Sequence, residues 1–248
     1  MDILKFTLGG RTAFFKKPEV NTYYSFTYGN IHKVALFGIF GAILGYKGYG
    51  ENNNKDVIFP EFYEKLKGVQ CSIIPINEEG FIKKKIQQFN NSVGYASKEL
   101  GGNLIVKEQW LENPKWDIFV KLDSAIAVKL ADAILNRKCV YVPYLGKNDH
   151  PADIYNAVLL NNCSLIKNYM KIDSLFLKGL AEYGDFNDFE DEDEYENVNL
   201  FKYEESLPIG LNEATQMYCY NTFVHTNLPI EKYHGEVFQA DGRNIVFN

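Results

Sequence analysis

Hydrophobic and polar residues alternate over the first eight positions of the chain, and further on they give way to a long uncharged run. Ile3, Lys5 and Thr7 fall on one side and Leu4, Phe6 and Leu8 on the other, the period of two that marks a half-buried strand. Gly9 and Gly10 end it. A second aromatic run, Ala13 to Phe15, follows Arg11 and precedes Lys16 and Lys17, and Pro18 keeps it from continuing as a central strand. Residues 21–30 then form a polar loop whose hydroxyl, amide and tyrosyl groups, beside those three cations, suit phosphate oxygens and unpaired bases. From Val34 to Tyr46 nothing is charged, and the pattern predicts a helix over 31–46 with Asn30 as its N-cap. That run of 13 residues is shorter than the roughly 20 a membrane span requires, so the helix is expected to be buried. Gly38, Gly41 and Gly45 within it call for a close backbone approach or a sharp turn.

Farther along, residues 47–60 read as an excursion loop, and Pro60 to Lys67 as a short helix with Phe62, Tyr63 and Leu66 inward. Cys71 to Ile76, interrupted by Pro75, suits an edge strand. Residues 81–110 have the form of a long hairpin, with Gly101, Gly102 and Asn103 at its turn and Leu104 to Trp110 as its second arm. Trp116 to Leu122 is another strand, and Ser124 can cap a helix over 125–135. Cys139 to Val142 reads as a short strand stopped by Pro143. The order is βαββαβ, which predicts an α+β chain with a ferredoxin-like core, an antiparallel sheet with helices on one face. Residues 1–155 would form this domain, with the hairpin at about 81–110 as a thumb. Residues 156–248 would be an irregular, β-containing extension or small second lobe that carries an acidic loop at 182–196. Residues 151–160 fit either helix or strand.

Charge divides unevenly. Residues 1–150 hold 20 Lys and Arg against 15 Asp and Glu, whereas residues 151–248 hold 6 against 17, within a chain of net charge −6. A chain of that net charge does not coat nucleic acid indiscriminately, but its first part can present a basic face. The 18 Phe, 17 Tyr and 2 Trp make 15% of the chain; most such rings pack cores and sheets, and those that bear on function are the tyrosines clustered with basic residues around the 21–28 loop. Cys71, Cys139, Cys163 and Cys219 lie far apart with no histidine at ligand spacing, so neither a metal nor a cofactor is expected, and a reduced, cytoplasmic chain is. No apolar secretory segment opens the sequence, and no association with membrane is expected. The four histidines, His32, His150, His225 and His234, bound any metal-free acid–base chemistry.

The order GRTAFFKKP, a Tyr-rich loop and HKVALFGIFGAILGY resembles the amino-terminal signature of the CRISPR-associated Cas-five subunits of the RAMP superfamily, whose members share an RRM-like, ferredoxin-like fold. LENPKWDIFV (residues 111–120) and VYVPYLGKND (residues 140–149) resemble that family's strand-entry and Pro-Tyr-Leu-Gly segments, in the same order. The resemblance covers about the first 155 residues. It implies a non-catalytic subunit of a type I Cascade complex, of type I-B, that grips the 5′ handle of the guide RNA (crRNA). Its neighbours would be the large subunit and the first backbone subunit, and it would meet target DNA indirectly. On that basis Arg11, Lys16 and Lys17 are expected to contact handle phosphates. Asn21, Thr22, Tyr23 and Tyr24 would contact sugars or bases, His32 and Lys33 would complete the cradle at the helix start, and Lys98, Lys107 and Trp110 would act from the thumb. Some family members cleave precursor RNA with a Tyr, Lys and His set, but this chain has no histidine between His32 and His150, so the hairpin histidine is missing. Two alternatives stay open at this point: a metal-independent endoribonuclease using Tyr28, His32 and Lys33, and a purely structural interaction module.

Overall fold

The structure is a computed structural model, and it describes residues 1–19, 23–51, 57–77, 80–95, 98–161, 163–183 and 199–248. The chain is α+β and rich in strands. Its first part runs β1 (Ile3–Gly9), β2 (Thr12–Ala13), α1 (Lys33–Leu44), α2 (Glu61–Leu66), β3 (Cys71–Pro75), β4 (Lys84–Asn90), β5 (Ile105–Glu112), β6 (Lys115–Lys121), α3 (Ala125–Leu135) and β7 (Asp153–Leu160). Then come β8 (Ser164–Ile166), β9 (Phe176–Leu177), β10 (Ala181–Tyr183), β11 (Lys202–Leu211), β12 (Tyr218–Thr226), β13 (Ile230–Tyr233), β14 (Val237–Ala240) and β15 (Arg243–Ile245).

The central sheet has the order β3-β6-β1-β7 and its pairs are antiparallel. It is thus built from β1, α1, β3, β6, α3 and β7 in sequence. The fourth strand is 153–160, not 139–142: residues 139–142 make no strand, because Val140 and Tyr141 give their N–H groups to the last carbonyls of α1, those of Ile43 and Ala42, both at 3.0 Å. That fourth strand also runs past residue 155. Leu4, Phe6 and Leu8 of β1 pack with Trp116, Ile118 and Val120 of β6 against α1 and α3. On the other face, Ile3, Ile74 and Phe119 are covered by Cys163, Ala240 and Ile245, so β8, β14 and β15 form a second layer over the sheet. There Lys5 is paired with Asp117 and Asp241.

α1 forms where the uncharged run predicts, but its N-cap is His32, whose Nδ1 accepts from Ala35 N–H at 3.2 Å. Asn30, expected in that role, instead accepts from the buried Trp116 Nε1 at 3.1 Å. The helix ends at Gly45 in the left-handed region with φ +78°, and Tyr46 N–H closes back on Gly41 O at 2.8 Å. Gly41 supplies the close approach: a Cβ there would meet Phe62 of α2 at 2.6 Å. α3 is capped by Ser124 Oγ, which accepts from Ala127 N–H at 3.3 Å. β4 and β5 pair antiparallel from Lys84–Leu111 to Asn90–Ile105 and form the hairpin. Among the described residues no helix is long and apolar enough to cross a membrane.

Candidate nucleic-acid interface

A groove of about 640 Å³ runs over the outer face of α1. Its floor is the helix positions Ala35, Gly38 and Ala42, small residues at spacings of three and four, and a Cβ on Gly38 would meet nothing within 4 Å. Seven residue steps of helix, from Ala35 to Ala42, give the floor a length of about 10 Å, room for roughly three bases stacked at about 3.4 Å. Aromatic rings make the walls: Phe14 and Phe15 before the helix, Tyr46 and Tyr49 after it, Tyr141 and Tyr144 from the segment following α3, and Tyr218 from β12.

Local chemistry holds each wall in place. The 140–151 segment is pinned to the end of α1 by the two bonds above, and Phe14 N–H donates to Leu145 O at 3.0 Å. Gly146 lies against Phe14 so closely that a Cβ would fall 1.9 Å from the Phe14 carbonyl oxygen, and its φ of +91° suits glycine. Cations sit at the rim. Lys16 is exposed and lines the groove, Lys65 and Lys129 lie over the Tyr46 ring at 4.4 and 5.5 Å, and Lys147 lies over Phe14 at 5.7 Å. Among the described residues no carboxylate lines the groove, and at its rim Lys65 is paired with Glu61 at 2.6 Å and Lys147 with Glu108 at 3.1 Å. Burial pushes the Tyr49 phenol up to about 12 and raises Tyr218 as well, so both remain neutral hydroxyls at ordinary pH.

His32 forms the head of the groove. It is 4% exposed, and Phe15, Tyr28 and Tyr218 meet its ring edge-on, with centroids 6.2, 5.1 and 5.4 Å away. Desolvation lowers its pKa to about 3. The Tyr28 phenol is raised by burial and shares a hydrogen bond with Tyr220 Oη at 3.0 Å. Both shifts weigh against acid–base work by a Tyr28, His32 and Lys33 set, since burial disfavours the imidazolium and the phenolate.

The other residues anticipated from sequence are dispersed. Lys17 turns from the groove to Glu205 of β11 at 3.5 Å, and the same carboxylate accepts from Gly29 N–H at 2.8 and 2.9 Å, so the anion position before α1 is filled by the chain itself. Lys33 faces the opposite way, lining a cavity of about 20 Å³ with Cys71, Leu175 and Phe223, and burial lowers its pKa. Arg11 is exposed at the hairpin foot, where its carbonyl accepts from Asn113 N–H at 2.9 Å. Tyr24 stacks near Phe26, Lys107 lies 5.4 Å over the Tyr24 ring, and Ser25 bonds to β5 through Lys107 O and Gln109 N–H, both at 2.9 Å. Tyr23 is largely exposed and Lys98 is exposed near the hairpin tip. Trp110 donates to the buried Glu108 at 2.8 Å, which also holds Lys147 at 3.1 Å. Asn21, Thr22 and most of the acidic run lie outside the described residues. The structure therefore unites Lys16 with His32, and Tyr24 with Lys107, but does not bring Lys17 or Lys33 to the groove. Sequence reasoning missed Tyr46, Tyr49, Tyr141, Tyr144 and Tyr218. The Pro-Tyr-Leu-Gly segment was the one available pointer to two of them.

No family model and no curated protein matches the chain. Solved structures do. One is a chain of a "CRISPR RNA-guided surveillance complex", with a TM-score of 0.53 over 92% of this chain and 91% of that one at 11% identity. The fold is similar to that of a CRISPR effector-complex subunit. Looser likenesses include a CRISPR protein from Archaeoglobus fulgidus, with a TM-score of 0.49 and 10% identity over 99% and 98% of the two chains. A chain of the type III-B Cmr-beta complex bound to cognate target RNA matches at a TM-score of 0.45 and 9% identity, over 93% and 86%.

Proposed function

We propose that this chain is a non-catalytic RNA-holding subunit of a type I CRISPR interference complex, a Cas-five protein of the I-B type, and that the α1 groove grips the 5′ handle of the guide RNA. The observation that carries the reading is the groove itself: aromatic rings, phenol hydroxyls and the exposed Lys16, with no carboxylate among the described lining residues. Unpaired RNA is held by stacking on aromatic side chains with hydrogen bonds to base edges, and its phosphates by cations. The strand order and two crossover helices support a ferredoxin-like RAMP core, and the likeness to a surveillance-complex chain supports membership of such an assembly. The large and backbone subunits would be its neighbours, and target DNA would be met through the guide. Tyr24 and Lys107, on the face of the hairpin away from Glu108, extend the grip to the thumb.

Binding of a labelled single-stranded handle RNA, followed by fluorescence anisotropy, tests this. Tyr144→Ala is expected to weaken binding roughly tenfold, the scale of one base–ring stack. Lys16→Ala should flatten the dependence of log affinity on log salt by about 0.7, the share of one phosphate on a single strand. Wild-type affinity and salt slope in both variants would exclude the groove.

A further inference from the structure

We infer that Gly38 is the point at which RNA in the α1 groove meets the helix backbone directly, and that a side chain there would lift the strand from the groove floor. This rests on the RNA-holding reading and deepens it, from a groove that holds single strands to the one residue that sets how far they enter.

Glycine is, after proline, the poorest helix former and alanine the best, so a glycine within an α-helix calls for a local reason. α1 and its C-cap hold three glycines, and two of them have that reason inside the chain. At Gly41 a Cβ would meet Phe62 at 2.6 Å, and Gly45 takes a φ of +78° at the helix end. Gly38 has neither. It sits in mid-helix, exposed between the buried Phe37 and Ile39, and a Cβ on it would meet nothing within 4 Å. The other described glycines with that much room all lie outside α-helices, where a bare backbone needs no such reason. What surrounds Gly38 is the groove. Ala35 and Ala42 continue its floor on either side, and Phe14, Tyr46, Tyr49 and Tyr144 stand around it in the walls. Glycine is the default residue wherever backbone and ligand come close. An unpaired RNA strand brings flat bases and sugars to such a floor, and the exposed Lys16 lines the same groove for its phosphates. A methyl group at position 38 would project into that space, since no atom of the described chain stands in its way.

Gly38→Ala and Gly38→Leu test the contact with two readouts that move in opposite directions. Alanine and leucine are good helix formers and the space is free, so neither variant should unfold earlier than the wild type. Gly38→Ala is expected to raise the thermal midpoint by about 2 °C. Anisotropy with a labelled uridylate octamer on the full chain should show binding weakened about fivefold by Gly38→Ala and tenfold or more by Gly38→Leu, the scale of overfilling a packed site. A gain in stability with a loss of binding is what a purely structural glycine would not give. Wild-type affinity in Gly38→Leu, with Tyr144→Ala still weakened, would overturn the contact while leaving the groove as an RNA site. A lower thermal midpoint in Gly38→Ala would show that the chain itself needs the space, and would overturn the inference as well. No binding of the octamer by the wild type would remove both readings.

Discussion

Single side chains decide what the region before α1 can hold. Glu205 is the clearest case: 9% exposed, it accepts from Gly29 N–H and pairs with Lys17. Glu205→Ala strands that backbone donor and unpairs the lysine, and is expected to cost about 1–3 kcal/mol in urea denaturation. Burial lowers the pKa of His32, His150 and His225. A histidine held neutral in the fold binds a proton more readily when unfolded, so the stability it protects is complete above about 6.5 and drains as the pH falls toward the folded value. For His32, with a folded value of about 3, the loss should approach about 1.4 kcal/mol per pH unit below 6. Chemical denaturation at pH 7.5 and 5.0 checks this, and His32→Asn should show the shallower decline. None of these partnerships was legible in the sequence. Gly29 and Glu205 stand 176 residues apart, and a cation beside a tyrosine reads as an RNA contact until its carboxylate partner is seen.

At the level of elements, the alternating and uncharged runs were enough to locate β1, α1, β6, α3 and the hairpin, because each buries one face and its periodicity follows from that. The segment 139–142 misled for a physical reason. Its β-branched residues resemble a strand, yet its N–H groups go to the carbonyls at the end of α1, which the helix cannot satisfy internally. That bonding turns the segment into a groove wall and delays the fourth strand to 153–160. Gly146 seats the wall against Phe14, and Gly146→Ala, facing both a carbonyl oxygen at 1.9 Å and a φ of +91°, is expected to cost about 2 kcal/mol or more and to weaken RNA binding with it. The base of the hairpin is tied to the same segment by Glu108 and Lys147 and by Trp110 standing edge-on to His150 at 4.6 Å. Glu108→Ala should therefore raise the rate of tryptic cleavage at the lysines of the hairpin, measured under native conditions, while a rate equal to wild type would show that the tie does not restrain it.

Across the whole molecule, the strands after residue 160 do more than append a lobe. β8, β14 and β15 cover the sheet face opposite the helices, whereas Leu207, Leu211 and Phe223 join the core on the helical side. Tyr218 on β12 closes the head of the groove. The imbalance of charge between the two parts was visible from composition, but the way the later strands complete both the core and the groove was not, since it depends on contacts over more than a hundred residues. The account stands on RNA lying in the α1 groove. Ultraviolet cross-linking of the chain to handle RNA, followed by mass spectrometry of the adducts, tests it most directly. Adducts on the peptides bearing Tyr46, Tyr49, Tyr141 and Tyr144 are the predicted result, and adducts confined to β8, β14 and β15, or none at all, would contradict it.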